Sequence, residues 1–328
     1  MHVVVIGGTG HVGTYLVPRL VRAGHEVTVL SRGEREPYRA DGAWRRVDRV
    51  EVDRERAERE GRFGETVADL EPDAVGDMIC FTRESAERLV EALRGDVQHL
   101  LHCGSIWVHG HSRVVPTPET APRDPHGEYG HNKAAIESSL LEETRRGGLA
   151  TTVLHPGHIV GPGWLPLNPQ ANFQPAVFER LAAGERVVLP NMGLETVHHV
   201  HADDVAAAFQ AALGNWSGAV GEAFHVVAPR AVTLRGYAEA VADWFGVDPD
   251  IAFEPLESWR ETVDDDVART TVDHAGRSPH CSIGKARRSL GYDPRYGPLE
   301  AVREALRWQV EHGDLDLPSP GEPVAGLD

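Results

Sequence analysis

The sequence predicts an α/β fold in which a doubly wound parallel sheet carries helices on both faces and a smaller C-terminal region follows. Short β-branched runs alternate with helical patterns through the first half, as in parallel strands joined by helical crossovers. A chain of 328 residues can form one large core or two modest ones. The predicted strands are His2–Ile6, Glu26–Leu30, Val47–Val52, Ala74–Cys80, Gln98–Cys103 and Ala150–His155.

The segments between and after these strands carry helical signals. Val12, Leu16 and Leu20 recur at four-residue spacing, which predicts a helix with one buried stripe and a right-handed βαβ connection. Asp203 is the predicted N-cap of a later helix. The later predicted helices are Phe173–Ala183, Asp203–Leu213, Leu234–Phe245, Ile283–Leu290 and Leu299–His312.

The composition changes at Pro156, after which glycine and proline are frequent. This pattern indicates a long loop that follows the end of a strand. We therefore predict a first domain over residues 1–165 and a second region over 166–314. A segment at about 196–228 is expected to return to the first sheet, and 315–328 to form a frayed tail.

Composition and charge narrow the function. A formal net charge of −17 disfavours binding to nucleic acid or to a membrane surface through a general basic field. The apolar run Val3–Ile6 is too short for a signal peptide or a spanning helix, so we expect a cytoplasmic protein. Three cysteines without CxxC spacing predict small apolar fillers and no disulfide framework.

A glycine loop follows the first strand directly. Gly7, Gly10 and Gly13 have G-x-x-G-x-x-G spacing at the mouth of the first predicted helix. They permit a tight turn, close approach of a pyrophosphate to the backbone, and close helix–strand packing, while the helix N-terminus favours an anion. The pattern predicts a Rossmann-type dinucleotide-binding domain; the alternative is a glycine-rich turn without a ligand.

A tyrosine and a lysine stand one helical turn apart in the segment Tyr129-Gly-His-Asn-Lys133, so both side chains can face one pocket. A nearby cation lowers the pKa of a phenol, which would allow Tyr129 to relay a proton. Ser105 follows the fifth predicted strand at the carboxyl edge of the sheet, where open α/β folds bind ligands. Ser105 is expected to bond a substrate oxygen.

These motifs, with HPGHIVGP, HHVHADDVA and SIGKARRSLGYDP further on, resemble the extended short-chain dehydrogenase/reductase superfamily, in its epimerase/dehydratase branch. The resemblance implies that Ser105 positions the substrate, that Tyr129 is the acid–base, and that Lys133 binds the nicotinamide ribose and lowers the pKa of Tyr129. The implied cofactor-binding residues are Gly7, Thr9, Gly10, His11, Val12, Gly13, Ser31, Arg32, Asp53, Ile79, Cys80, Phe81, Lys133, His155, Pro156 and His158. The implied substrate-binding residues are Ser105, Trp107, His158, Asn172 and Arg277.

The sequence departs from the family at three informative places. In the dehydratases of the family, a Thr is followed directly by Asp-Glu, which supply the acid and base for water elimination. This chain has Ser105-Ile106-Trp107 instead, so a dehydratase is not expected. Sugar-nucleotide members carry an Asn and an Arg that hold the diphosphate, where this chain has His158 and Val197. Diphosphate recognition is therefore absent or rebuilt from other groups such as Arg277.

Seven of the 18 histidines invite a metal hypothesis, namely His109, His111, His155, His158, His198, His199 and His201. We do not adopt it because no H-E-x-x-H motif occurs and hydride chemistry of this type needs no metal. Trp107, Trp164 and Phe173 form either a pocket floor or core packing. Asp264–Asp266 is read as a solvated helix face.

The end of the second strand bears on the cofactor. Rossmann domains that bind NAD place an Asp or Glu about 20 residues after the glycines. Here Ser31 and Arg32 occupy the turn, and a guanidinium suits a 2′-phosphate. We therefore favour NADP(H), with NAD(H) possible if Arg32 is only a solvated loop residue beside Glu34 and Arg35.

Together these features predict reversible hydride exchange at a secondary alcohol or ketone carbon, by a reductase, a dehydrogenase or an epimerase. The family resemblance implies a small sugar or polyol-like substrate and a homodimer through the Tyr129 helix and its neighbour. The alternative is a non-catalytic NAD(P)-binding regulatory protein on the same fold.

Overall fold

The computed structural model describes residues 1–322. Its strands are β1 His2–Ile6, β2 Glu26–Ser31, β3 Val47–Glu51, β4 Ala74–Asp77, β5 His99–Cys103, β6 Thr151–Pro156, β7 His158–Val160, β8 Val187–Pro190, β9 Thr196–Val197, β10 His199–His201, β11 Ala223–Val226, β12 Val232–Thr233 and β13 Ile251–Glu254. Its α-helices are α1 Gly13–Arg22, α2 Arg54–Arg59, α3 Phe63–Ala68, α4 Arg83–Leu93, α5 Gly127–Arg145, α6 Ala176–Ala182, α7 Ala202–Gly214, α8 Trp216–Ala219, α9 Leu234–Trp244, α10 Leu256–Arg260, α11 Asp265–Ala275, α12 Gly284–Leu290 and α13 Pro298–Glu311. Short 3₁₀ helices lie at Gly42–Arg46 and Ile106–His109.

Seven parallel strands form the central sheet, in the order β11-β6-β5-β4-β1-β2-β3. Alternate side chains of β1 enter different cores, because successive residues of a strand point to opposite faces. Val3 and Val5 pack in the core that includes α1 and α7, whereas Val4 and Ile6 pack in the core that includes α3, α4 and α5. This two-faced burial confirms the predicted doubly wound parallel fold.

A third core lies in the second half of the chain, where α6, α9 and α13 pack with β8. The two-stranded sheets β7–β10, β8–β13 and β9–β12 belong to this half. The segment predicted to return to the first sheet contains β11, which pairs with β6. The division of the chain at residue 165 stays a prediction.

Several predicted boundaries are wrong for local reasons. Sheet pairing of β4 ends at Asp77 rather than at Cys80. The helix predicted from Phe173 begins at Ala176, because Pro175 is its N-cap. Asp203 is not the N-cap of α7; His201 is, since its Nδ1 accepts a hydrogen bond of 2.9 Å from the Asp203 amide.

The C-terminal segment is ordered as far as Glu322, which corrects the predicted frayed tail for residues 315–322. Leu315 is buried in the third core. The Arg307 guanidinium on α13 donates to the Pro320 carbonyl at 3.0 Å and pairs with Glu322 at 2.8 Å. The remainder of that prediction, residues 323–328, lies outside the described residues.

All three cysteines are free and buried, in agreement with their predicted role as fillers. Within residues 1–322, no helix combines the length and the apolar character that crossing a bilayer requires.

Candidate active site

The glycine loop turns tightly between β1 and α1. Gly7 has a φ of +80°, and its amide donates to the Leu30 carbonyl at 2.8 Å. A Cβ on Gly13 would lie 2.1 Å from the carbonyl oxygen of Gly8, so the start of α1 packs against the loop in a way that only glycine permits. Val12 is the N-cap of α1 and is buried. The loop therefore presents backbone and a helix N-terminus to the adjoining cavity.

A cavity of about 1140 Å³ opens beside this loop. Its lining brings together predicted cofactor residues from four separate segments: Gly7, Thr9 and Gly10; Ser31 and Arg32; Asp53; Ile79 and Phe81. Ligand pockets usually measure about 300–1,000 Å³, so this cavity is large enough for an extended ligand. The glycine cradle at one side and the basic β2 end at the other fit a dinucleotide.

Two residues at the far end of the cavity have local partners. Arg32 is largely exposed and pairs with Glu34 at 3.1 Å. Asp53 is the N-cap of α2, where one carboxylate oxygen accepts a 3.0 Å hydrogen bond from the Arg56 amide. Contacts of either side chain with an adenosine moiety stay predictions.

An aromatic bridge that the sequence did not predict lies against the glycine loop. The indole Nε1 of Trp164 donates to the Tyr38 hydroxyl at 3.0 Å, and both residues line the cavity. Trp164 also packs on the His11 ring, with 4.4 Å between ring centroids. Burial lowers the pKa of His11 to about 3, so its imidazole is neutral. Trp164 thus lines the cavity beside the glycine loop, whereas Trp107 and Phe173 both contact His274.

A buried ion-pair cluster supports the wall of the cavity. Arg54 donates to Asp77 at 2.7 Å, to Glu58 at 2.7 Å and to Ser85 at 2.8 Å. Asp77 is the last residue of β4, so the cluster joins α2 and α4 to the carboxyl end of the sheet. Sequence reasoning missed it because its residues come from three separate elements, α2, β4 and α4.

The residues predicted to handle the proton lie just after β5 and on α5. Ser105 follows β5 and caps the short helix that begins at Ile106, where its hydroxyl accepts from the Trp107 amide at 3.3 Å. Tyr129 lies in the first turn of α5, with its ring edge-on to Trp107 at 5.5 Å. The predicted Ser105 and Tyr129 side chains lie close enough for the Ser105 hydroxyl to lower the pKa of Tyr129.

Lys133 extends from α5 toward the two strand ends. Its ammonium donates to the carbonyls of Cys80 and Cys103 at 2.8 and 2.7 Å, and its Nζ lies 5.8 Å from the centre of the Tyr129 ring. The Phe81 ring covers the same ammonium at 5.0 Å. Burial lowers the pKa of Lys133.

The electrostatics of Tyr129 differ from the sequence-based expectation. Although Tyr129 is 40% exposed, desolvation of its phenol raises its pKa to about 12, and the two influences that lower it are the nearby Ser105 hydroxyl and the charge of Arg277. Lys133 is not among them, because its ammonium is held at the main-chain carbonyls. The phenol is therefore a proton donor at neutral pH.

His155, a predicted cofactor residue, lies under Ser105. Its Nδ1 accepts from the Ser105 amide at 2.9 Å, and its Nε2 lies 3.3 Å from a carboxylate oxygen of Glu137. Burial alone would raise the pKa of Glu137, but the hydrogen-bonded Arg123 guanidinium and the adjacent His155 ring hold it well below its usual range. This network fixes the main chain at Ser105. Pro156 ends β6 next to it, fully buried.

The side of the site facing the second half of the chain is aromatic and contains one guanidinium. His158 Nε2 and His274 Nδ1 form a hydrogen bond of 2.7 Å. The Arg277 guanidinium lies over the Trp107 ring at 3.8 Å, and Phe173 packs edge-on against His274 at 5.7 Å. His274, near the end of α11, was missed because no local pattern in the sequence marks it.

Asn172 does not share these contacts. Its amide nitrogen donates to Thr271 at 3.1 Å, and its amide oxygen accepts from Asn168 and from the Gln174 amide at 2.6 and 3.0 Å. These bonds tie the loop before α6 to α11. Its predicted contact with substrate stays a prediction.

One group of side chains among the described residues has the geometry of a metal site. The ligand atoms of Asp77, Cys80 and His102 lie within 4.8 Å of one another. Asp77 is already paired with Arg54, and the charges of Arg54 and Lys133 both act on the Cys80 thiol. Two fixed cations beside the group oppose binding of a third.

Comparison with known proteins identifies the group to which this chain belongs. It is 27% identical to the chloroplast stem-loop binding protein of 41 kDa b from Arabidopsis thaliana, over 95% of this chain and 80% of that protein. It is 27% identical to 2'-dehydrokanamycin reductase from Streptomyces kanamyceticus, over 100% of this chain and 90% of that protein.

Among solved structures, UDP-glucose 4-epimerase from Thermotoga maritima shares the fold with a TM-score of 0.71 at 22% identity, over 95% of this chain and 99% of that one. The model of the NAD dependent epimerase/dehydratase family matches residues 3–226. The chain therefore belongs to the NAD dependent epimerase/dehydratase family, as its motifs predicted, and is an oxidoreductase or epimerase of the short-chain dehydrogenase/reductase type.

Proposed function

We propose that this enzyme exchanges hydride at a secondary alcohol or ketone carbon of a sugar or polyol-like substrate, as a reductase, a dehydrogenase or an epimerase, with NADP(H) preferred. The observation that carries the proposal is the placement of Tyr129 and Lys133 one turn apart on α5, with the Lys133 ammonium held at the ends of β4 and β5 and against Phe81, which lines the cavity that begins at the glycine loop.

The cofactor would lie along Gly7, Gly10 and Asp53, and when bound it supplies or accepts the hydride. The chain's own groups handle the proton. Tyr129 holds a proton at neutral pH and can donate it to a developing alkoxide, which suits the reduction of a ketone. Ser105 can bond the same substrate oxygen. The Ser105-Ile106-Trp107 segment offers no carboxylate for water elimination, so dehydration is not proposed.

Replacement of Tyr129 by Phe tests the assignment of the proton relay. General acid–base catalysis contributes about 10²–10⁴-fold, so turnover of any responsive sugar should fall by that factor. Cofactor affinity, measured by fluorescence titration, should not change. Unchanged turnover in Tyr129→Phe would show that another group moves the proton.

The preference for NADP(H) rests on Arg32, Arg35 and Arg59, three guanidinium side chains that line the cavity. A 2′-phosphate would have to replace Glu34 as the partner of Arg32. Hydrogen bonds to charged groups contribute about 1.5–3 kcal/mol, which corresponds to roughly a 10- to 150-fold preference.

Fluorescence titration of both reduced cofactors against the wild type and Arg32→Ala tests this preference. We expect a selective loss of NADPH affinity. Arg113→Ala is the matched control, because Arg113 is exposed, ion-paired and outside the cavity lining. Equal NADH and NADPH affinities in the wild type reject the preference.

We also propose that the enzyme accepts substrates without a nucleotide diphosphate, although several relatives are named as UDP-sugar enzymes. The residues at the two anchor positions support this: His158 is bonded to His274, and Val197 is buried in the third core. Competition by UDP or dTDP at micromolar concentration would contradict it.

The remaining parts of the proposal concern partners and location. The Arabidopsis relative is named for stem-loop binding, but a net charge of −17 disfavours a phosphate backbone here. Three free cysteines support a reducing, cytoplasmic location. We also propose a homodimer through α5, which would have to cover exposed ion pairs such as Arg94–Glu143. A monomeric mass in light scattering would contradict the homodimer.

A further inference from the structure

Arg277 is a buried cation that the protein itself does not neutralise. The residue is 1% exposed, and its Nη2 is buried without a hydrogen-bond partner. Its Nε donates to the Asp273 carbonyl at 2.8 Å. Within residues 1–322, no carboxylate forms an ion pair with it, since Asp273 pairs instead with His126 at 3.1 Å.

The surroundings place this cation beside the reacting groups. The guanidinium lies 3.8 Å from the centre of the Trp107 ring, whose edge-on partner is Tyr129. Burial lowers the pKa of Arg277 to about 10, so it remains charged at neutral pH. Its charge also lowers the pKa of Tyr129. One indole ring therefore separates a fixed positive charge from the proposed acid–base.

The neighbouring histidines add no second charge. Burial lowers the pKa of His274 to about 4 and that of His158 well below its ordinary value. The two rings are hydrogen-bonded to each other and are neutral at pH 7. Trp107, His158, His274 and Phe173 thus form an aromatic, uncharged wall with a single cation in it.

An unpaired buried charge is unfavourable unless a partner compensates it, and a guanidinium with a free Nη2 donor matches a carboxylate in shape and charge. One cation balances one negative charge, whereas a diphosphate carries more. We propose that the substrate is a hexuronate, a sugar acid whose carboxylate binds Arg277 while its hydroxyl-bearing carbon faces Tyr129. This inference deepens the proposed function and rests on it.

Binding of matched sugars to the full chain tests the proposal without relying on turnover. D-galacturonate, D-galactose, D-galactose 1-phosphate and UDP-galactose are titrated calorimetrically, with and without saturating NADP⁺. Galacturonate should bind at least tenfold more tightly than galactose, as expected for a charge-assisted hydrogen bond. Arg277→Met should remove that difference by weakening galacturonate binding to the level of galactose, and Arg277→Lys should retain part of it.

Arg269→Met is the matched control, because Arg269 lies on α11, which ends at Ala275 just before Arg277, and its mostly exposed side chain pairs with Asp266. It should bind galacturonate as the wild type does. The melting temperature of Arg277→Met should be no lower than that of Arg269→Met, since an uncompensated charge is removed; a clear drop would indicate a structural arginine and overturn the proposal.

Equal binding of galactose and galacturonate, or wild-type galacturonate binding by Arg277→Met, overturns it as well. Tighter Arg277-dependent binding of the phosphate ester or the UDP-sugar would assign the site to phosphate instead, and absence of binding by all four sugars would exclude hexuronates. Tyr129→Phe should bind galacturonate normally and not turn it over. Normal turnover by that variant would reject the proposed function, but it would not affect the conclusion from the binding measurements.

Discussion

Removing Arg54 should destabilise the enzyme far more than removing its neighbour Arg56. Asp77 is 2% exposed, and in the wild type its carboxylate accepts from Arg54 at 2.7 Å and from the Ile79 amide at 3.2 Å. Arg54→Met leaves that carboxylate with the amide alone. Breaking a buried ion pair from one side costs about 3–5 kcal/mol.

The assay is urea unfolding followed by tryptophan fluorescence, with a calorimetric melting temperature beside it. A loss of this size should lower the melting temperature by roughly 5–10 °C in a chain of this length. Arg56→Met is the control on the same helix, because Arg56 forms an exposed pair with Glu60. It should change the free energy of unfolding by less than about 0.5 kcal/mol.

A second variant isolates the charge. Arg54→Met combined with Asp77→Asn removes the unpaired carboxylate while keeping its shape, and should recover part of the lost stability. If the free energy of unfolding of Arg54→Met is within about 1 kcal/mol of that of Arg56→Met, the ion-pair cluster does not stabilise β4 as its contacts indicate. If the double variant is no better than the single one, lost packing rather than charge explains the effect.

Three further outcomes follow from the site. Because the pKa of Tyr129 is raised to about 12, its phenol stays protonated as pH rises through the ordinary range, and the tyrosinate absorbance of wild type and Tyr129→Phe should coincide up to about pH 10; an extra tyrosinate in wild type below about pH 9 would contradict this. A Cβ at Gly104 would lie 2.4 Å from His155 Nδ1, so Gly104→Ala should displace the ring that holds the Ser105 amide and lower kcat, measured in a steady-state assay, by about tenfold or more; wild-type kcat would dismiss that positioning role. Trp164→Ala should weaken cofactor binding in a fluorescence titration by removing the Tyr38 bond and the His11 contact, whereas Trp164→Phe should keep the ring contact and most of the affinity; equal loss in both variants would assign the effect to the hydrogen bond.

The parts of this enzyme that the sequence predicted are those in which the signal is local. The glycines of the loop stand within one turn of the chain, and the strand patterns need only their own residues to be recognised. The capping error at Asp203 is also local. Short polar residues are the usual N-caps, so residue type alone favoured Asp203. In the structure the N-cap of α7 is His201, whose ring accepts the hydrogen bond from the Asp203 amide.

The parts that were missed join residues that are distant in sequence. Tyr38 and Trp164 are 126 positions apart, and His158 and His274 are 116 apart. Neither member of such a pair has an unusual local pattern. Their contact exists only because the fold brings distant segments of the chain together, so periodicity and spacing carry no information about it.

Lys133 combines a feature that the sequence predicted with contacts that it could not predict. Its one-turn spacing from Tyr129 correctly predicted a shared helix face, since four residues complete about one helical turn. The spacing could not predict which atoms the ammonium contacts, because they are main-chain carbonyls at residues 80 and 103. A carbonyl is the same whatever side chain it accompanies, so these partners are set by where β4 and β5 end and not by residue identity. The raised pKa of Tyr129 follows from that arrangement: with the ammonium held at the strand ends, burial of the phenol outweighs the groups that lower its pKa.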